Sequence, residues 1–205
     1  MKVNLRVPTT LADIPLHQYQ RFIKTFENTD DMTEAYAGTK MLEIFCGLKT
    51  DETLQLKVKD LKTITNKLNI ALSEKPLLIT RFKIGGTEFG FVPQLDDLTF
   101  GEFVDIENNI SDWDNMHKAM SVLYRPITER LNNQYQIEEY RGDSWHDAML
   151  NMPAAVAISA INFFFLLEND LLKVTLPYSS ETTTDKVQDQ QLTTLTNNGG
   201  GTTAL

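Results

Sequence analysis

Three acid and base groups stand close together in "DWDNMH": Asp112, Asp114 and His117. On a helix, Asp114 and His117 lie three residues apart and share a face, which is how a metal site or an acid–base pair begins. Either chemistry needs more converging groups. No second histidine or cysteine lies nearby, so the spacing reads as a capping carboxylate beside a surface histidine. His17 and His146, like the scattered serines, fall in no nucleophile elbow. "IGGTEFGF" has glycines but lacks the lysine and the following helix of a phosphate loop. "ENDLL" and "EEY" supply carboxylates without the partner that glycoside hydrolysis or proton transfer requires. "YRGDSW" reads as a turn, and "NIS" at Asn109 is a glycosylation signal only in a secreted chain. The expectation is a protein that is not an enzyme and uses no cofactor and no metal.

The lone cysteine, Cys46, excludes an intrachain disulfide and fits a reducing compartment. It sits in the apolar helical pattern "KMLEIFCGL", where a buried, inert thiol is expected. The N-terminal "MKVNLRVPTT" lacks the apolar run of a secretory leader.

The elements that would position these groups follow from periodicity. "IPLHQYQRFIKTFEN" places Leu16, Tyr19, Phe22, Ile23 and Phe26 on one face of a helix begun by Pro15. "MTEAYAGTKMLEIFCG" predicts a second helix, with Met41, Leu42 and Phe45 inward and Gly47 as its stop. "KDLKTITNKLNIALSEKP" predicts a third, capped by Asp60, with Leu61, Ile64, Leu68 and Leu72 on one face and Pro76 beyond its end. The period then changes. "LLITRFKIGGTEFGFVP" reads as a hairpin turning on Gly85-Gly86, because both glycines tolerate positive φ. Thr99 and Glu102 form a T-x-x-E capping box that opens "TFGEFVDIENN". "SDWDNMHKAMSVLYRP" predicts a helix capped by Ser111 or Asp112, carrying Trp113, Met116, Met120 and Leu123 inward and closed by Pro126. "ITERLNNQYQIEEY" alternates about Asn132-Asn133 as a second hairpin, and "DSWHDAML" gives one or two helical turns.

"NMPAAVAISAINFFFLLENDLL", from Asn151 to Leu172, is the most apolar stretch. Sixteen residues, Met152 to Leu167, precede its first charge, whereas a membrane-spanning helix needs about 20 predominantly apolar residues. It therefore reads as a protein-covered helix with Val156, Ala160, Phe163, Phe164, Leu167 and Leu171 in its stripe and Phe165 and Leu166 beside it. Beyond Tyr178 the chain is Thr-rich, lacks aromatic residues and contains a triple glycine. Such a segment cannot form a core, and is disordered or ordered by partners.

The expected fold class is α+β, mainly α-helical with two short β-hairpins and a Thr-rich C-terminal tail. The expected parts are a helical one over 1–75, a hairpin-plus-helix one over 76–178 sharing the same core, and the tail over 179–205. At 205 residues, 41% hydrophobic and 23% charged, the composition is that of a globular chain. A net charge of −9 argues against nucleic acid as a direct partner, because phosphate binding needs a basic surface.

One charge feature is uneven. From Glu88 to Asp114 there are eight acidic residues and no lysine or arginine, with Phe89, Phe91, Phe100, Phe103 and Trp113 interleaved. This is either a solvated acidic face or a docking surface for a basic, amphipathic segment. Met116, Met120, Met149 and Met152 add flexible apolar surface, two of them already within the core stripe.

"GFVPQLDDLTFGEFVDIENNISDWDNMHKAMSVLYRPI", "YQIEEY" and "MPAAVAISAINFFFLLENDLL", with "LADIPLHQYQRF" and "MLEIFCGL", resemble a group of proteins encoded by tailed bacteriophages. The resemblance covers about residues 1 to 175. It implies a role in virion assembly similar to that of a tail assembly chaperone, working in the host cytoplasm. Such chaperones are small, acidic and mostly helical, and they shield apolar helical segments of the tape measure protein or of tail subunits. The resemblance carries no catalytic motif. From composition, the expected partner-binding residues are Phe163, Phe164, Phe165, Leu166, Met116 and Met120, lining an apolar groove, with Phe100 and Phe103 in its acidic rim. The expected partners are tail or other virion proteins, with no membrane; homo-oligomerisation is left open. A structural virion component, such as a connector, ring or internal capsid protein with a C-terminal arm ordered by its neighbours, is the alternative.

Overall fold

The computed structural model describes residues 5–27, 33–132, 134–142 and 144–166. The Thr-rich segment, 179–205, lies outside the described residues. The chain divides into two units, Met1–Asn162 and Phe163–Leu205, and the fold described below is that of the first.

Helices open the chain. α1 (Leu16–Phe26) follows Pro15, and α2 (Glu34–Cys46) is capped by the Thr33 hydroxyl, which accepts from the Tyr36 N–H. α2 stops at Gly47, whose φ of 68° suits a residue without Cβ. A short helix, α3 (Thr50–Leu54), leads into α4 (Val58–Leu72). α4 begins two residues before the expected Asp60 cap: Lys57 is extended at the N-cap, and Asp60 falls in the first turn. An acidic side chain there still meets the positive end of the helix dipole.

The sheet has four antiparallel strands in the order β1-β2-β3-β4. β1 (Arg81–Ile84) and β2 (Thr87–Phe91) turn on Gly85 and Gly86, both with positive φ. β3 (Tyr124–Leu131) and β4 (Gln134–Ile137) form the second hairpin. Between the hairpins come α5 (Phe100–Ile110) and α6 (Met116–Leu123), which pack on one another. α7 (His146–Met149) follows, and a final helix, α8, runs over 154–166.

α6 departs from expectation at both ends. It starts at Met116 with no side-chain cap, because Asp112 accepts instead from the Asp114 N–H and the Asn115 amide. Asx turns of this kind compete with capping. It ends at Leu123, and Pro126 lies inside β3 opposite Phe89. The Pro126 carbonyl still accepts from the Glu138 N–H at 2.8 Å, so only a donor is forfeited.

One core cluster joins the chain's beginning to its later part. Leu11, Ile14, Met41, Leu42, Phe45 and Leu68 pack with Ala154 and Ala155 of α8. Pro15 and Pro153 form an isolated bridge, and Ser159 Oγ accepts from the Ile79 N–H at 3.1 Å. Residues 154–157 and 159–160 of α8 are buried, because small side chains let this helix sit between others. On the sheet, Phe82 stacks on Phe89 at 5.5 Å, and Tyr124 meets Phe82 and Phe91 edge-on. The Tyr124 hydroxyl donates to the Ile79 carbonyl at 2.9 Å, so the buried ring keeps its polar end partnered.

Candidate functional site

α5 buries a carboxylate and exposes two phenylalanines. Its buried positions include a carboxylate, Glu102, which is 4% exposed, while Phe100 is 82% and Phe103 53% exposed. An ordinary surface helix does the reverse.

The inward carboxylate is held by two sets of donors. One Glu102 oxygen accepts from the Thr99 N–H and the Thr99 hydroxyl, both at 2.7 Å, completing the expected capping box. The other oxygen lies 2.9 Å from Arg125 Nη2, and this pair is almost wholly removed from water. One turn on, Asp105 accepts from the Tyr140 hydroxyl at 2.5 Å. Burial, then the Asp105 carboxylate, pushes the Tyr140 hydroxyl well above the usual phenol range. Ile106 supplies the apolar part of the inner face. Polar and ionic bonds therefore fix the rotation of α5, and that rotation turns both phenylalanines to the outside.

The outer face continues this pattern. Asp96 and Asp97 are exposed just ahead of the helix, and Glu107 is exposed one turn beyond Phe103. Two aromatic rings thus stand between carboxylates. Leaving a large apolar side chain in water forgoes about 1.5–3 kcal/mol of burial. Two such residues on one face make a candidate interaction surface.

The other expected partner-binding residues are placed differently. Met116 and Met120 are fully buried on α6, so the expectation that they line an open groove is corrected. α6 packs against α5, α7 and β3, and most of its residues, both methionines among them, are buried. Phe163 and Phe164, in the second unit, are half-buried with their rings edge-on at 5.5 Å; Phe165 and Leu166 are exposed. The apolar stripe of α8 is therefore split. Its alanine-rich start fills the core of the first unit, and its aromatic end belongs to the second.

The groups first considered for catalysis are occupied structurally. Asp114 pairs with Lys24 of α1. Gln20 Nε2 donates to the Trp113 carbonyl at 2.6 Å and lies 3.2 Å from His117 Nδ1. An amide nitrogen donates, so this contact is made with His117 Nδ1 as acceptor in the neutral form of the ring. Burial, with lesser contributions from Lys118 and His146, lowers the His117 pKa. Cys46 is half-buried, and burial pushes its thiol up to about 11. Among the described residues, no three histidine, cysteine or acidic side chains cluster to hold a metal, and no helix is long and apolar enough to cross a membrane.

Sequence reasoning missed an apolar opening between α1, α2 and α4, of about 490 Å³. Its signal was present but looked like core: Phe22, Phe26, Met41 and Leu61 lie in the same stripes that fill the interior. Comparison with protein-family models, curated proteins and solved structures returns no match for this chain.

Proposed function

We propose that the protein is a phage tail assembly chaperone-like protein, which binds and shields apolar helical segments of a tail (tape measure) protein during virion morphogenesis in the host cytoplasm. The observation that carries this reading is α5, which buries Glu102 and exposes Phe100 and Phe103. A long helical client aggregates when its apolar stripe meets water. The α5 face offers two aromatic anchors to such a stripe, and amphipathic helices are commonly recognised by apolar surfaces of this kind. Asp96, Asp97 and Glu107 would meet lysines or arginines flanking the client's stripe, raising the encounter rate and disfavouring acidic partners. The bacteriophage resemblance along the sequence supplies the identity of the client.

Co-expression with the cognate tape measure protein tests the reading. The expected result is that the client moves from the insoluble to the soluble fraction and co-purifies with this protein. Mass spectrometry of purified particles separates the two classes of role. A chaperone is absent or scarce there, whereas fixed copy number in the particle would replace this reading with that of a structural virion component.

A further inference from the structure

Gln20 is the buried amide that ties α1 to the link between α5 and α6. It is 7% exposed, so a partner it loses is not simply replaced by water. Three acceptors converge on its Nε2: the Trp113 carbonyl at 2.6 Å, His117 Nδ1 at 3.2 Å and the Asp114 carbonyl at 3.4 Å. Two further contacts complete the joint. The Tyr19 and Trp113 rings lie 5.0 Å apart, and Lys24 pairs with Asp114 at the surface. The start of α1 is held separately, where the Leu16 and His17 N–H groups donate to the Met152 and Leu150 carbonyls at 2.8 and 2.9 Å.

We propose that this joint is an acid-sensitive latch, in which a proton on His117 opens the contact between α1 and residues 113–117. An imidazolium carries N–H on both nitrogens, so Nδ1 changes from acceptor to donor and faces the Gln20 donor. Rotating the amide would cure that contact, but it would set Gln20 Oε1 against the Trp113 carbonyl, which now lies 2.6 Å from Nε2. Nδ1–H can turn to the Asp114 carbonyl, yet this takes an acceptor that Gln20 shares and still leaves two donors 3.2 Å apart. No orientation of the buried amide therefore satisfies both a charged His117 and Trp113. Among the charges around the ring, Lys118 on α6 and His146 on α7 oppose the proton, and Asp147 on α7 favours it. α5 and β3 also pack on α6, and the charges they bury, Glu102 and Arg125, neutralise one another. Burial of the ring is the largest influence and places the opening below pH 6.5. The latch needs no client and stands whether or not the tail reading does.

Nuclear magnetic resonance of the full chain tests this between about pH 7.5 and about pH 4.5. The His117 ring resonances give the midpoint at which that ring takes its proton. Overhauser cross-peaks between the Tyr19 and Trp113 rings should weaken about twofold or more as the pH falls through that midpoint. Those between Phe89 and Trp145, 5.3 Å apart outside the joint, should hold. His117→Asn cannot take the proton, and Gln20→Met has no amide to oppose it; each should keep the Tyr19–Trp113 cross-peaks throughout. Whichever of the two has the wild-type circular dichroism at neutral pH decides the outcome. His146→Gln should respond as wild type does. The proposal is overturned by Tyr19–Trp113 cross-peaks that persist while His117 titrates, or by a His117 that takes no proton in this range. It is equally overturned if the folded Gln20 or His117 variant responds like wild type, if His146→Gln abolishes the response, or if both sets of cross-peaks fade together as in general acid unfolding.

Discussion

Arg125 Nη2 lies 2.9 Å from Glu102 Oε1 beneath a helix whose Phe100, two residues earlier, projects into solvent. A buried ion pair of this kind recovers its own desolvation and little more, so its value lies in position. Here it holds α5 at the rotation that presents Phe100 and Phe103. Arg125 Nε is buried without a hydrogen-bond partner among the described residues, so Glu102 is the main compensation for that charge.

Glu102→Ala should therefore destabilise the fold by about 3–5 kcal/mol, because it strands a buried arginine. The lost cap on Thr99 would add about 1 kcal/mol. Urea unfolding followed by circular dichroism measures this. A change below about 1 kcal/mol would mean that the pair does not anchor α5.

Replacing both exposed phenylalanines by serine should do almost nothing to the fold. The expected change per site is within about 0.5 kcal/mol, as for surface positions away from special features. The same urea titration checks it. A loss of several kcal/mol would place these rings in the core rather than on a binding face.

Much of the architecture was legible because local signals agreed. Gly47, the Gly85-Gly86 turn and the Thr99–Glu102 box each have one economical reading, and each is found. Errors occurred where one signal had two physical outcomes. Pro126 can end a helix or occupy a strand whose missing donor is tolerated, and strand pairing with Phe89 decided it. Methionines at Met116 and Met120 look alike in a core and in a groove; only the tertiary packing around α6 distinguishes them. Phe100 and Phe103 were picked out by their acidic surroundings. Their orientation depends on Arg125, more than twenty residues away in sequence, and no periodicity reports that partner.

His117 provides a pH test. Burial lowers its pKa in the folded chain below the ordinary value of 6.5. The unfolded chain then holds the proton more tightly, so this contribution to stability is complete above pH 6.5 and is lost as the pH falls through the folded value. His117→Asn should flatten stability against pH below 6.5, relative to wild type, in urea titrations run at each pH. An unchanged slope would show that His117 titrates alike in both states.

Cys46 should resist thiol reagents. With its pKa pushed from 9.0 to about 11, the thiolate fraction near pH 8 is about a hundredfold below that of a free cysteine. Iodoacetamide labelling followed by mass spectrometry should show a correspondingly slow rate that climbs with pH towards about 11. Labelling as fast as in the urea-unfolded chain would contradict the burial of this thiol.

The central claim is that α5 is rotated to serve a partner rather than the fold. It is tested most directly by the soluble fraction of tape measure protein co-expressed with wild type and with the Phe100→Ser, Phe103→Ser variant. The account predicts that wild type keeps the client soluble, and that the variant, equally abundant and equally folded, leaves it in the pellet. Equal solubilisation by the two would contradict it.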